Sequence, residues 1–514
     1  MKKILLSIVI ALTLCGMAQP SQQTPTDYSL DYSVAFDTAG HYLLVDLTYT
    51  ADAGGKRADV VLNMPRWAPG YYEMLDFAKH LTDFHATDQA GTPLRWNKEG
   101  LNRWRIPLPA DGRLCVSYRV YANQRDVASS RVDSNVAFVA PNGVFMYVDG
   151  EQQHPVTVRF DMPQNWQHIA TGMRPNARDN RSFTVQDFDV LYDSPLLLGN
   201  FYTQTFTHEG HGYELALETP EGVEEVGFAD DFKRIISATT KMMGDVPYNN
   251  YCLIHMGEGQ GGLEHLNSQA CYTDGTYRFE SRRSHVKFLA FVAHEYFHLY
   301  NVKCIRPSEL WPLDYDHEAI TPMLWVSEGL TCYYEFRLLR NAGIVTTDEA
   351  LQLLSTYFSL YAPYEGQYHQ SLRQSSYDIW LNFMNHDKNG RDVRVNYYFK
   401  GPVIGLLLDI DIRRKSQHEH SLDDVMRQLY QRYYHELKRG FTEEEFWQAC
   451  ADAAGEPLTE VRRLVETTDT IDYAAWLDTA GLRIDSTDWS IRHADTLTAA
   501  QTEFLRRMNL EKHK

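Results

Sequence analysis

The sequence predicts a multidomain protein: an N-terminal all-β, sandwich-like domain, then a mostly α-helical domain, then a short C-terminal segment. Three observations predict it. The 514 residues suffice for several domains at roughly 100–200 residues each. From Asp27 to Tyr202 apolar residues alternate with polar ones, the period of antiparallel strands. Beyond Ser284 the apolar spacing becomes helical. Hydrophobic residues at 44% and charged residues at 23% exclude wholesale disorder. A net charge of −19 argues against a nucleic-acid partner, which requires a basic face.

The elements follow in order. Residues 1–18 read as a secretory signal, with Lys2 and Lys3 before the apolar run Ile4–Leu14 and small residues at Gly16 and Ala18. The protein is therefore expected to be exported, periplasmic or secreted. Cys15 offers a lipid anchor as the less favoured alternative, since Leu14 stands where a small residue is wanted. No later run reaches the ~18–20 apolar residues of a membrane helix. The β-domain is expected over 24–205. Within it Leu43, Val45, Leu47 and Tyr49 alternate with polar or oppositely facing neighbours, as do Val116, Tyr118 and Val120. Ala53-Gly54-Gly55 and Ala110-Asp111-Gly112 supply turns. Tyr213–Leu217 and Tyr251–His255 read as further strands, and Phe228, Phe232, Ile235 and Ile236 as one face of a helix. Ser421–Tyr434 and Pro402–Arg414 are helical, and Thr442 with Glu445 forms a capping box. A second domain spans 206–482 and a tail 483–514.

Cleavage after Ala18 leaves Cys115, Cys252, Cys271, Cys304, Cys332 and Cys450, with no CxxC pair. A zinc ribbon is unsupported. Export permits disulfides; Cys252 with Cys271 is a possible pair, and buried free thiols are an equally good reading.

The chemistry concentrates in His294-Glu295-Tyr296-Phe297-His298. Histidines at i and i+4 of a helix project one turn apart on one side. That spacing lets both reach one zinc ion at ~2.0–2.1 Å, and Glu295 is placed to serve as general base toward water. Phe288, Leu289, Phe291, Val292 and Phe297 make this helix apolar on several sides. Buried histidines need partners, and a metal supplies them. A catalytic zinc needs a third ligand and an open position. Glu328 is the candidate, in Trp325-Val326-Ser327-Glu328-Gly329 ahead of an apolar helix. Gly261-Gly262-Leu263-Glu264-His265 offers a close backbone approach beside a carboxylate able to hold a peptide's ammonium. In Tyr397-Tyr398-Phe399-Lys400-Gly401 a tyrosine hydroxyl can donate to an oxyanion; aromatic packing accounts for at least one of the two tyrosines.

Together these segments resemble the glycyl aminopeptidase family of gluzincin, thermolysin-like zinc metallopeptidases. The resemblance rests on Gly262-Leu263-Glu264-His265 with Ser268, on the double-histidine motif running through Asn301, Lys303, Arg306 and Pro307, on Trp325–Tyr334, on Tyr398-Phe399-Lys400-Gly401, and on Pro65-Arg66-Trp67-Ala68-Pro69-Gly70-Tyr71-Tyr72. It implies a thermolysin-like catalytic domain behind a β-domain. It implies one Zn²⁺ per chain on His294, His298 and Glu328, with Glu295 as base and Tyr398 at the oxyanion. Glu264, with Gly261 and Gly262, would bind the substrate's amino terminus. The implied activity is removal of N-terminal glycine, and to some extent alanine, from peptides with a free N-terminus. Tyr300 and Cys304 depart from residues common in the family, and too few residues follow Leu482 for the PDZ domain many members carry. The alternatives are an endopeptidase of the same clan and a non-catalytic peptide-binding scaffold. Asn385–Gly390 looks like the start of a calcium loop, but Asn396 stands where a bidentate glutamate is required, and a polar turn is expected.

Overall fold

The computed structural model describes residues 28–51, 57–259, 261–272, 276–381 and 388–511. The signal segment with Cys15, and the Ala53-Gly54-Gly55 turn, lie outside them.

Alternation builds the first part of the chain. On the strand Tyr42–Ala51, Leu43, Val45, Leu47 and Tyr49 are buried while Asp46 faces out. On Arg113–Tyr121, Leu114, Val116, Tyr118 and Val120 are buried. The two strands pair antiparallel with Val45 opposite Tyr118, inside a seven-stranded sheet. Two four-stranded sheets stand against it, and all three contribute to one apolar core. One of the four-stranded sheets carries Leu196–Gly199, buried throughout. Leu196 and Leu198 face the β-domain core, and Leu197 faces the next layer. A strand covered on both faces has no polar side, hence the unbroken leucine run.

That next layer is a five-stranded sheet ordered Tyr202–His208, His211–Leu217, Asn250–Met256, Ser268–Tyr272 and Gly262–Glu264. The short strand Gly262–Glu264 is its edge, antiparallel to Ser268–Tyr272. The sheet's far face, with Tyr213, Leu215, Tyr251 and Leu253, packs into the helical core. Phe228, Phe232, Ile235 and Ile236 enter that core from the helix Phe228–Met243. The molecule is thus layered, and the sheet carrying Glu264 lies between the β-domain and the helices.

The double-histidine helix is Arg282–Phe297, opened by a Ser281/Ser284 capping box, with His298 as its C-cap. It starts earlier than its phenylalanine cluster and stops at the second histidine. The Thr442/Glu445 capping box opens the helix Glu443–Ala454. The last segment forms a hairpin, Leu482–Ile484 with Ile491–His493, and the helix Ala499–Arg507. Leu482, Phe504, Leu505 and Met508 join the helical core. Among the described residues no helix is long and apolar enough to cross a membrane.

One open choice is decided and one expectation is corrected. Every cysteine described is a free thiol. Cys252 lies opposite Ser268, and Cys271 opposite His255. The candidate pair is therefore offset by an odd number of residues along neighbouring strands, and the two side chains leave opposite faces of the sheet. Of the calcium-like segment, the described part is the short helix Lys388–Val393 rather than a turn. Asn396 is the N-cap of Tyr397–Lys415, its Oδ1 accepting from the Tyr398 N–H at 2.8 Å.

Candidate active site

The helix Arg282–Phe297 turns both imidazoles to one point. His294 Nε2 and His298 Nε2 are 2.9 Å apart. Glu328 Oε2 lies 3.2 Å from His298 Nε2 and 3.7 Å from His294 Nε2. All three residues are buried.

Their mountings are specific. His294 Nδ1 is 2.9 Å from Glu335 Oε1, and Tyr357 donates to the other oxygen of that carboxylate at 2.6 Å. His298 Nδ1 donates to the Asn301 carbonyl at 2.7 Å. These partners occupy the Nδ1 side of each ring and leave the Nε2 lone pairs facing each other. Glu328 is carried by a single π-helical turn, Trp325–Gly329, leading into the helix Leu330–Asn341; such turns recur at functional sites. Asn301 Nδ2 holds this turn by donating to the Val326 and Ser327 carbonyls at 2.8 and 3.1 Å.

The donor set fits zinc. Two imidazole lone pairs and a carboxylate oxygen at 2.9–3.7 Å from one another repel unless a cation lies between them. A tetrahedral site with bonds of ~2.0–2.1 Å has ligand separations of about 3.3 Å. The electrostatics agree. Despite the downward pull of burial, the neighbouring Cys332, Glu328 and Glu335 groups raise the His294 pKa, and Glu328 and Glu264 raise that of His298. Against the upward pull of burial, the two histidines lower the Glu328 pKa. The cluster calls for positive charge. His294, Cys332 and Glu335 also lie close together, but this group uses the outer side of His294, and burial holds the Cys332 thiol protonated with a pKa of about 12. Lys400 lies apart from the cluster, its Nζ 5.6 Å from the Tyr361 ring centroid.

Glu295 packs against the sheet edge. A Cβ at Gly262 would lie 2.1 Å from Glu295 Oε1, so only glycine admits the carboxylate there. Burial, with smaller contributions from Glu264 and Glu328, outweighs the two histidines and raises the Glu295 pKa to about 7. Gly261 precedes it with φ +89°, and its carbonyl accepts from the Tyr272 N–H at 3.0 Å. Glu264 is buried on the same edge strand. One oxygen of Glu264 and one of Glu295 are buried without a protein hydrogen-bond partner.

Tyr398 enters from the first turn of Tyr397–Lys415. Its ring centroid is 6.5 Å from that of His294, and burial together with Glu328 pushes its pKa well up, so the hydroxyl keeps its proton. Two glycines allow this approach. Cβ atoms at Gly329 and Gly401 would each fall within 2.6 Å of the other's Cα. Backbone contact thus joins the Glu328 turn to the Tyr398 helix.

The β-domain supplies a wall that single-residue reasoning did not assign. Gly70, at φ +93°, packs on Glu264; a Cβ there would lie 2.6 Å from Glu264 Oε1. Tyr72 is fully buried, and burial with the adjacent Glu328 and Glu264 carboxylates pushes its pKa well up. A cavity of about 30 Å³ adjoins Glu264, bounded by Trp67, Gly70, Tyr72, Val302 and Arg306 among others. Glu335 was also missed. Its signal was present: seven residues after Glu328 it returns to the same helix face.

The model for the Peptidase M61 N-terminal domain matches residues 31–200, and that for the M61 glycyl aminopeptidase matches 287–404. No curated protein matches. A crystal structure of an aminopeptidase N family protein from Idiomarina loihiensis is similar at 26% identity and TM-score 0.81, over 89% of this chain and 79% of that one. An M1 zinc metallopeptidase variant from Deinococcus radiodurans, bound to a Tyr-Ser-Ala substrate, matches at 14% identity and TM-score 0.53, over 86% and 94%. Aminopeptidase A of Legionella pneumophila, in complex with aspartic acid, matches at 12% and 0.52, over 87% and 50%. The last two likenesses speak to the fold alone.

Proposed function

Because the chain belongs to the M61 glycyl aminopeptidase family and is a zinc aminopeptidase, we propose that it releases small N-terminal residues, glycine and alanine, from peptides. The observation that carries this reading is the placement of two unpartnered carboxylate oxygens, on Glu264 and Glu295, beside the convergent trio His294, His298 and Glu328.

His294, His298 and Glu328 would hold one zinc ion. Once bound, zinc supplies Lewis acidity toward the scissile carbonyl and lowers the pKa of water toward ~7. Glu295 takes the proton of the attacking water and delivers it to the leaving amine. Tyr398, kept protonated, donates to the carbonyl oxygen as negative charge gathers there. Glu264 pairs with the substrate ammonium and so fixes which bond is presented. The edge strand Gly262–Glu264, with Gly261 before it, offers its free side to an extended peptide.

The small-residue preference rests on the cavity beside Glu264. About 30 Å³ admits little more than a water or a methyl group, so a leucine or phenylalanine side chain would have to displace Trp67 or Tyr72. The sequence of residues 1–18 supports action outside the cytoplasm, with the Cys15 lipid anchor as the alternative.

The test is a panel of aminoacyl p-nitroanilides with an N-acetyl-glycyl control. Gly and Ala substrates are expected to turn over fastest, and the acetylated one not at all. Equal rates on free and acetylated substrates would establish the endopeptidase instead. Full zinc without turnover on any substrate would establish the scaffold.

A further inference from the structure

A cavity of about 450 Å³ lies where the β-domain meets the helical domain. It adjoins the small cavity beside Glu264, but none of His294, Glu295, His298, Glu328, Tyr398 or Glu264 lines it. Cavities of this size hold small-molecule ligands when mainly apolar walls carry a few placed polar groups. Here Trp311, Tyr315, Tyr433 and Tyr434 supply aromatic wall, and Arg306 supplies a cation.

Arg306 is singular among the charged groups around it. Its guanidinium stacks over the Trp311 ring at 4.6 Å and donates to the Lys303 carbonyl. The carboxylates of the same wall are engaged elsewhere. Asp193 pairs with Lys303 at 2.6 Å and His265 at 3.1 Å. Asp189 accepts from Tyr315 and Gln153. Asp187 accepts from the Val190 N–H. Desolvation draws the Arg306 pKa down, and Cys304, Asp193 and Asp189 offset only part of that pull. The half-buried guanidinium of Arg306 has five donors in a planar fork, suited to a carboxylate. At the cavity's rim Lys438 and Arg439 are exposed. Arg439 is paired with Glu445, while Lys438 lies over the Tyr434 ring. On a chain of net charge −19, such a rim favours anions locally.

We propose that this interdomain cavity is a second binding site, for a small ligand bearing a carboxylate on an aromatic body. Arg306 takes the carboxylate, and the Trp311–Tyr434 wall takes the ring. The ligand arrives from solvent, not along the substrate. Pro69, Lys303, Arg306 and Leu313 line both this cavity and the one of about 30 Å³ beside Glu264, and a void of that size cannot pass a peptide chain.

The test is calorimetric titration of the zinc-loaded protein with N-acetyl-L-phenylalanine and, separately, with its neutral amide. Acetohydroxamate is present throughout to occupy the metal. The acid is expected to bind once per chain, about tenfold or more tighter than the amide. Arg306→Gln is expected to erase that difference, and Tyr434→Ala to weaken both ligands alike. Failure of the acid to bind at millimolar concentration, equal binding of acid and amide, or an acid affinity untouched by Arg306→Gln would overturn the proposal. The acid–amide comparison requires no variant, so it decides the matter even if Arg306→Gln does not fold.

Discussion

Each of the two converging imidazoles has a protein partner behind it, whereas two carboxylates at the seam between helix and sheet edge, Glu295 of the helix and Glu264 of the strand, each keep a buried oxygen without a protein hydrogen-bond partner. His294 is braced by Glu335 and His298 by the Asn301 carbonyl, and Asn301 also ties down the turn carrying Glu328. Glu264 and Glu295 instead sit against glycines, Gly70 and Gly262, which add no donor. A buried carboxylate oxygen without a donor is costly. The cost is offset when an ammonium or a water proton arrives. On the proposed function, the histidine side is pre-organised for a permanent occupant and the carboxylate pair for a transient one.

Removing the charge of either carboxylate should therefore cost turnover while sparing the metal. Glu295→Gln is expected to lower kcat by about 10³–10⁴, within the upper range for a general acid–base group, with zinc content unchanged. Stopped assays alongside metal analysis read both, and loss of zinc with activity would merge the two sides into one unit. Glu264→Gln is expected to lower kcat/KM on unblocked peptides by about 10–100-fold, the loss of a charged hydrogen bond. An equal loss on N-acetylated peptides would remove Glu264 from amine recognition. The mirror experiment is Glu335→Gln, where zinc should weaken about 10–100-fold in a chelator competition while KM for peptide holds steady.

The smallest effect on chemistry, and a clear one on stability, belongs to the joint behind the sheet edge. Asp193 of the β-domain pairs with Lys303 and His265 and accepts from the Leu266 N–H at 2.9 Å, directly behind Glu264. Burial alone would raise its pKa; Lys303 and His265 reverse this and lower it. The stabilisation is thus present above the ordinary carboxylate value of ~3.9 and fades as pH falls below it. With about a fifth of the Asp193 side chain exposed (21%), Asp193→Asn should cost about 3 kcal/mol at pH 7, the lower end for a broken buried pair. The difference in Tm between variant and parent should shrink below pH ~4. A difference that persists there would mean packing, not charge, holds the joint.

How far the sequence reached follows the same division. The histidine side was legible because its signals are local: His294 and His298 are one turn apart, and the apolar helix after Glu328 set its place. The brace at Glu335 carries a local signal too, seven residues after Glu328 on the same helix face, but a lone glutamate on a helix reads first as a solvated one. The sheet edge was less legible. Gly262 and Glu264 stood out as a pair, but that Gly262 exists to admit Glu295 depends on a contact between strand and helix, and that Gly70 and Tyr72 come from a distant loop to close the site depends on contacts across nearly two hundred positions. The Gly329–Gly401 backbone contact is of the same kind. The choice between a Cys252–Cys271 pair and two buried free thiols stayed open in the sequence because strand register, not distance along the chain, decides which faces two thiols share.

Zinc stoichiometry by plasma mass spectrometry on dialysed protein tests the central claim most directly. Parent protein should carry one zinc per chain, and a His298→Ala, Glu328→Ala double variant that retains its fold by circular dichroism should carry almost none. Zinc at the parent level in that double variant would place the metal elsewhere and contradict the account.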